Sequence, residues 1–301
     1  MPKDSKIGWT HHSKSLWWGC DRTSAACKFC YAADIAKHFG HDVWGRTAPR
    51  RFFNPGHLDS LLSWNRSAKK RGVRERVFIN SMSDLFELHP VDEIRERMDT
   101  ERREFFALAP ELDHLDLLFL TKRTENIAGM VPAEWLRGTG APRNIWLGAT
   151  VEDNENARRR APELVRFRPY FSVIWFSYEP ALEWVDFTPW LPDAATPSVT
   201  VNGRDVDPRS LDSVMAALAG GPVEATGILG TKLTADWIVC GAESGPKRRP
   251  FDPAWADRVV ADTRAAGAAC YVKQDSHLRP GQQGRISDAT WAVKEWPEVR
   301  T

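Results

Sequence analysis

Three thiols stand close together in the stretch WWGCDRTSAACKFCYAADIAKHFG (17–40): Cys20, Cys27 and Cys30, out of five cysteines in 301 residues. A C-x2-C pair brings two thiolates within reach of one metal centre, and the six-residue loop before it can fold back to supply the third. The apolar residues Ala32, Ile35, Ala36 and Phe39 predict a short helix over 32–39, stopped at Gly40. Cys30 then stands just before the helix N-terminus, where the dipole and free N–H groups favour a thiolate. A closed zinc site needs a fourth ligand, and His11, His12, His38 or His41 would complete a Cys3His set. Iron–sulfur clusters usually take four cysteines. Cys240 and Cys270, however, lie inside the apolar runs WIVCGA and ACYVK. Three cysteines alone would leave one iron of a [4Fe–4S] cluster open, as a catalytic centre requires. Zinc and iron–sulfur both stay open on the spacing alone.

These thiols need a scaffold, and its pattern is regular. Short apolar runs recur as SLWWGC, RVFINSMSD, LDLLFLTKR, NIWLGATVED, FSVIWFSYEP, DWIVCGAESG and ACYVKQDS. Apolar runs of this length without strict alternation predict strands buried on both faces. Helices are predicted at about 32–39, 57–71, 91–109, 153–166 and 253–266, the last with Asp252 as N-cap, Pro253 at its first position and a stop at Gly267. Alternating strands and helices imply parallel pairing through right-handed crossovers, hence a barrel or a doubly wound sheet. Ligands in such folds bind where the carboxyl ends of the strands converge. Those ends carry Cys20; Asn80, Ser81, Ser83 and Asp84; Lys122 and Arg123; Thr150, Glu152 and Asp153; Ser177 and Glu179; Glu243 and Ser244; and Lys273 and Gln274. From about 186 to 235 the chain turns rich in Pro, Gly, Ala and Thr, and Asn202-Gly203 predicts a tight hairpin within an insertion. One α/β domain over 1–301 is expected.

Lys plus Arg number 41 against 40 Asp plus Glu, so bulk charge does not argue for a polyanionic partner. No apolar run reaches membrane-spanning length and the first residues lack a signal-peptide core, which predicts a soluble cytoplasmic protein. In that reducing setting spaced cysteines are metal ligands or reactive thiols rather than a disulfide framework.

The segment GCDRTSAACKFCYA resembles the C-x6-C-x2-C-Y signature of the phage Gp37/Gp68-like protein family (DUF5131), and FINSMSDLFE, LFLTKR, WLGATVED, FSYEPAL and VCGAESGPKRRPFDPAW resemble its successive blocks. The cysteine pattern also resembles the cluster loop of radical S-adenosylmethionine (SAM) enzymes, where the first gap is three residues. That resemblance implies a parallel partial (β/α) barrel of six to seven strands. It implies that Cys20, Cys27 and Cys30 each hold one iron of a [4Fe–4S] cluster whose fourth iron is chelated by SAM. Reduction would then cleave SAM to a 5′-deoxyadenosyl radical. Tyr31 would lie beside the adenine. Asn80, Ser81, Ser83 and Asp84 would occupy the methionine-binding position, without the Gly-Gly-Glu often found there, and Lys122, Thr150, Glu152 and Ser177 would complete the cofactor cavity.

Glu179, Glu243 and Lys273 are the candidate proton-transfer residues if they face one cavity. The glycines around Glu243 permit close approach of a ligand. Lys247, Arg248 and Arg249 follow that loop, and basic residues near aromatic ones suit a phosphate backbone with stacked bases, so nucleic acid is the expected substrate class. The basic runs at 69–76 and 158–160 read as solvated helix faces, and Trp9, Trp17 and Trp18 as core. The competing reading is a non-catalytic protein whose zinc or iron–sulfur centre fixes the N-terminal loop for nucleic-acid or protein binding.

Overall fold

The computed structural model describes residues 7–192, 199–201, 204–206 and 233–298. In chain order its elements are β1 (His12–Lys14), β2 (Trp17–Trp18), α1 (Tyr31–His38), β3 (Arg51–Phe52), α2 (Asp59–Arg71), β4 (Glu75–Ile79), α3 (Asp92–Leu108), β5 (Leu115–Thr121), α4 (Ile127–Met130), β6 (Ile145–Thr150), α5 (Asn154–Val165), β7 (Val173–Tyr178), β8 (Val199–Val201), β9 (Arg204–Val206), β10 (Trp237–Gly241), α6 (Pro253–Ala266), β11 (Ala269–Gln274) and α7 (Asp288–Trp291). Seven parallel strands form one sheet in the order β1-β4-β5-β6-β7-β10-β11. That order never reverses, so crossovers of one hand put the helices on one face and leave the other concave. The product is an open partial barrel with β1 and β11 as its edges.

Strand alternation divides the core accordingly. Val77, Ile79, Leu117, Phe119, Leu147, Ile174, Phe176 and Cys240 pack with residues of α2, α3, α5 and α6. Their neighbours Phe78, Leu118, Trp146, Val173, Trp175, Trp237, Val239 and Tyr271 form a second cluster with Trp9 that draws on no helix. This concave cluster fills the barrel interior with indoles: Trp175 lies 5.1 Å from Trp237 and 5.3 Å from Trp9, between ring centroids. Gly148 makes room for it, because a Cβ there would fall 2.3 Å from Cε2 of Trp175. At the open seam Trp296 packs 5.2 Å from Tyr271 and donates to the Trp9 carbonyl at 3.1 Å, so the C-terminal segment bridges the two edges.

The helices fall within two residues of their expected bounds, and Asp252 caps α6 by accepting from the Ala254 N–H at 3.0 Å. The opening of the sheet differs from expectation. SLWWGC does not supply the first strand: β1 lies upstream, and Trp17–Trp18 pairs antiparallel with Arg51–Phe52. Asn80 is the reason. At φ 62 it leaves the extended region, and its Oδ1 accepts from the Leu16 N–H at 2.9 Å, so the ladder with β4 stops at Lys14. Helix α1 buries only Ala32 and Ala36, while Ile35 and Phe39 stay 39% and 64% exposed. The run 158–160 is also not a solvated face throughout, since Arg160 is fully buried against Glu152. Strands β8 and β9 pair antiparallel as the expected hairpin arms. Asn202-Gly203 and most of the 186–235 insertion lie outside the described residues. No helix among the described residues is long and apolar enough to cross a membrane.

Candidate functional site

The cysteine loop joins β2 to α1 beside the carboxyl ends of the strands, and polar contacts hold it there. Gly19 takes φ 114 and approaches Val43, whose carbonyl oxygen a Cβ would meet at 2.4 Å, so the chain can pass close to the 41–50 loop. Gly45 N–H then donates to the Cys20 carbonyl at 3.0 Å. Beneath this turn Arg50 and Glu87 form a buried pair at 2.6 Å. The same Glu87 carboxylate accepts from the Asp21 N–H at 3.1 Å.

Arg123, at the end of β5, reaches the loop from below. Its Nη1 donates to Asp84 Oδ2 at 3.0 Å and to Cys20 Sγ at 3.6 Å, and its Nη2 donates to the Asp21 carbonyl at 2.9 Å. Burial pushes the Cys20 thiol up to about 12, although the Arg123 charge and hydrogen bond act the other way. Cys27 shows the opposite balance. Burial acts to raise its pKa, but the charge of Lys122 and hydrogen bonds from Thr23 and Ser24 bring it below its ordinary value. Cys30 is the N-cap residue of α1, as its spacing predicts. All three thiols are free and half-buried, whereas Cys240 and Cys270 are buried in the helix-facing core. Among the described residues no three His, Cys, Asp or Glu side chains are gathered so as to hold a metal ion.

Two expected histidine ligands have other partners. His11 Nδ1 accepts from the Arg76 N–H at 2.9 Å, and His12 Nε2 lies 3.0 Å from Glu75, both beside the amino end of β4 and so across the sheet from the cysteine loop. His41 packs edge-on to Trp18, and His38 stacks edge-on with Phe39 at the far end of α1.

Several expected cofactor residues meet at the strand ends. The Tyr31 hydroxyl donates to the Ser81 carbonyl at 3.0 Å, fixing the start of α1 to the loop after β4. Lys122 Nζ donates to Thr150 Oγ1 at 3.3 Å, and Thr150 and Ser177 are buried and in register on β6 and β7. Asn80 uses its carbonyl on Leu16, which leaves its buried Nδ2 unpartnered. Ser83 is taken up by the Trp17 carbonyl at 2.9 Å. Asp84 is buried, and burial alone would raise its pKa. The Arg123 charge and bonds from Lys122 N–H, Thr121 Oγ1 and Phe86 N–H bring the carboxyl below its ordinary value. Glu152 is likewise spent on Arg160, at 2.7 Å, with neither side chain exposed to solvent. Asp84 and Glu152 are thus held in internal ion pairs.

Lys273 and Glu179 form an ion pair, each 18% exposed, across the ends of β11 and β7. Glu243 does not join them in a recorded contact. Its carboxylate is held by the Arg249 N–H and guanidinium, with Nε at 2.9 Å. The Arg249 guanidinium also lies 5.5 Å from the centre of the Phe29 ring, between the last two cysteines. This contact links the loop after β10 to the cysteine loop near the opposite edge of the sheet. Arg248 turns back to the Gly245 carbonyl at 3.1 Å, and Lys247 is exposed. Glu87 and Phe29 form part of this assembly without being singled out in the sequence, whereas Arg123 is among the strand-end groups named there.

None of the curated proteins matches the chain. Among solved structures, a spore photoproduct lyase variant with bound AdoMet and a dinucleoside spore photoproduct aligns at 12% identity and a TM-score of 0.41, over 88% of this chain and 64% of that one. A second spore photoproduct lyase, complexed with the dinucleoside spore photoproduct, aligns at 12% identity and a TM-score of 0.40, over 84% and 59% of the two chains. The chain therefore spans less than two thirds of either enzyme. The family model described as "Protein of unknown function (DUF5131)" matches residues 4–294, and the chain belongs to that family.

Proposed function

We propose that Cys20, Cys27 and Cys30 bind a [4Fe–4S] cluster and that the protein is a SAM-dependent radical enzyme acting at the carboxyl end of its sheet. The observation that carries this reading is the loop itself: three free thiols beside converging strand ends, with Arg123 on Cys20 and the Lys122 charge beside Cys27. The donor set fits in kind, since thiolates are the ligands such clusters take and two basic groups favour them. The thiols are not preassembled, so cluster binding draws the half-buried loop together. Cys20, Cys27 and Cys30 would hold the cluster, which when bound and reduced would supply the electron for cleavage of a SAM sulfonium.

The chain's own groups have separable tasks. Tyr31, fixed through its hydroxyl, offers its exposed ring to an adenine. Asn80 Nδ2 is a free buried donor and suits the methionine carboxylate better than its amino group. Ser81, Thr150 and Ser177 supply hydroxyls at that position, with Ser83 holding the loop through the Trp17 carbonyl, and Lys122 adds a positive charge. Asp84 and Glu152 fix the loops through their arginines. The Lys273–Glu179 ion pair serves as the acid–base element, while Glu243 positions Arg249. Lys247, with Arg248 and Arg249, gives the rim the positive charge that a nucleic-acid substrate needs. Thiolate clusters require a reducing compartment, so the cytoplasm is the working location. The resemblance to phage Gp37/Gp68-like proteins belongs to the same reading.

Anaerobic purification followed by iron, sulfide and zinc analysis tests the centre, and incubation with dithionite and SAM tests the activity. Iron and sulfide near four per chain, with 5′-deoxyadenosine as product, are expected. One equivalent of zinc without iron would falsify the enzyme reading. Cys20→Ala should lose the cluster, and an intact cluster in that variant removes Cys20 from the ligand set.

A further inference from the structure

Next to Arg249, the residues after β7, the β10–α6 connection and the first turn of α6 border an open surface cleft of about 470 Å³. Its size lies in the roughly 300–1,000 Å³ range of small-ligand sites. Leu182, Phe251 and Trp255 form its apolar walls, and Arg249 and Arg285 border it. Phe251 is buried, whereas Trp255 remains partly exposed, its ring edge-on at 5.7 Å from that of Phe251. Both guanidiniums are fixed from behind. Arg285 meets Asp275 through Nε at 3.0 Å and Nη2 at 2.8 Å, and Arg249 meets Glu243. The carboxylates are 0% and 8% exposed and their arginines 60% and 25%, so the acids lie inside and the cations face outward. Asp252, the exposed acid of the cleft, is engaged at the α6 N-terminus through the Ala254 N–H.

A partly exposed indole that shares one cleft with two pre-oriented guanidiniums is the chemistry that holds a nucleotide, with the base on the aromatic face and the phosphate on the cations. We propose that this cleft is a nucleotide-binding subsite that anchors one unpaired residue of a nucleic-acid strand beside the mouth. It rests on the reading of nucleic acid as substrate and deepens it. Arg249, which touches Phe29 of the cysteine loop, makes the cleft continuous with the mouth.

The test is fluorescence anisotropy of the full chain with fluorescein-labelled single-stranded DNA of about ten nucleotides, repeated with adenosine and thymidine monophosphates as competitors. Binding that weakens with added salt is expected. Trp255→Ala should weaken it roughly 5- to 150-fold, the usual loss for one stacked base, and Trp255→Phe should recover most of it. Leu182→Glu, which enters the cleft from a different element, should weaken it as well. Displacement by monophosphates at matched nucleotide concentration assigns the cleft to free nucleotides, and its absence assigns it to a strand. Each keeps the nucleotide chemistry provided Trp255→Ala weakens the binding by at least about 5-fold. Wild-type binding in both Trp255→Ala and Leu182→Glu, with thermal midpoints intact, overturns the proposal. Iron content and SAM cleavage should be unchanged in these variants, so failure of the cleft is distinguishable from failure of the cluster reading.

Discussion

Replacing Arg123 by Gln removes the guanidinium that ties the end of β5 to the cysteine loop. Arg123 Nη1 lies 3.0 Å from Asp84 Oδ2, and the two side chains are 9% and 8% exposed. At that distance, with an effective dielectric near 20, the attraction is about 5 kcal/mol, much of it offset by the cost of burying both charges. Removing one partner leaves the other buried and uncompensated, which costs ~3–5 kcal/mol. For a chain of this length that lowers the thermal midpoint by roughly 10 °C. The pH dependence gives a second handle. In the wild type the Asp84 carboxyl is held low, so its contribution is present above the unfolded value of about 3.9 and is lost as pH falls through the folded one. Without Arg123 only the bonds from Lys122 N–H, Thr121 Oγ1 and Phe86 N–H oppose burial, so the Asp84 pKa rises relative to the wild type. The folded variant then takes up the proton at a higher pH than the folded wild type and loses less stability on acidification. Calorimetry from about pH 7.5 to 3 should show the gap between the two proteins narrowing. A gap below about 2 °C, or one of constant size across that range, would refute the argument that this pair is a buried latch.

Gly148→Ala should lower stability by about 1–3 kcal/mol, because its new methyl group meets the Trp175 indole at 2.3 Å with no space behind. Paired with Trp175→Phe in a double-mutant cycle, the loss should shrink, and additive losses would contradict the contact. Burial lowers the Lys294 ammonium to about 8 from its ordinary value of 10.5. Between those values the unfolded chain binds the proton that the folded chain releases, so this group adds stability as pH rises. Lys294→Met should lack that gain, and its calorimetric midpoint should fall relative to wild type between about pH 8 and 10.

Much of the fold was legible because it rests on local rules. Apolar runs of five to seven residues became β4, β5, β6, β7, β10 and β11, and Asp252, Pro253 and Gly267 marked the ends of α6. The first strand was not legible. Trp17–Trp18 is as apolar as any strand, and only the conformation of Asn80, some sixty residues away, diverts it. The site followed the same division. The C-x6-C-x2-C spacing and the capping position of Cys30 were readable from neighbours in sequence. The contact of Arg123 with Cys20 spans 103 positions and that of Arg249 with Phe29 spans 220, so topology sets them and no local spacing signals them. Glu152 was misplaced as a free ligand group for a related reason. Its partner Arg160 sits eight residues on, within a basic run that reads as solvent-facing until helix packing turns one arginine inward.

The two ends of the barrel are built from different interactions, and the difference bears on how the cysteine loop is held. Toward the amino end, indoles fill the concave face, and a packed aromatic interior resists even one added methyl. At the carboxyl end the loop has a small apolar cluster of its own, Ala32, Ala36, Val43 and Met82, and depends on Arg50, Glu87 and Arg123 for its position. Buried ion pairs add little net stability compared with apolar packing, but they fix where their partners stand. A loop anchored in this way has its backbone positioned by charge pairs, while Cys27 and Cys30 stay half-buried. The packed end therefore supplies the stability that the polar end forgoes, and under the proposed function the gathering of the thiols would fall to the loop and not to the sheet.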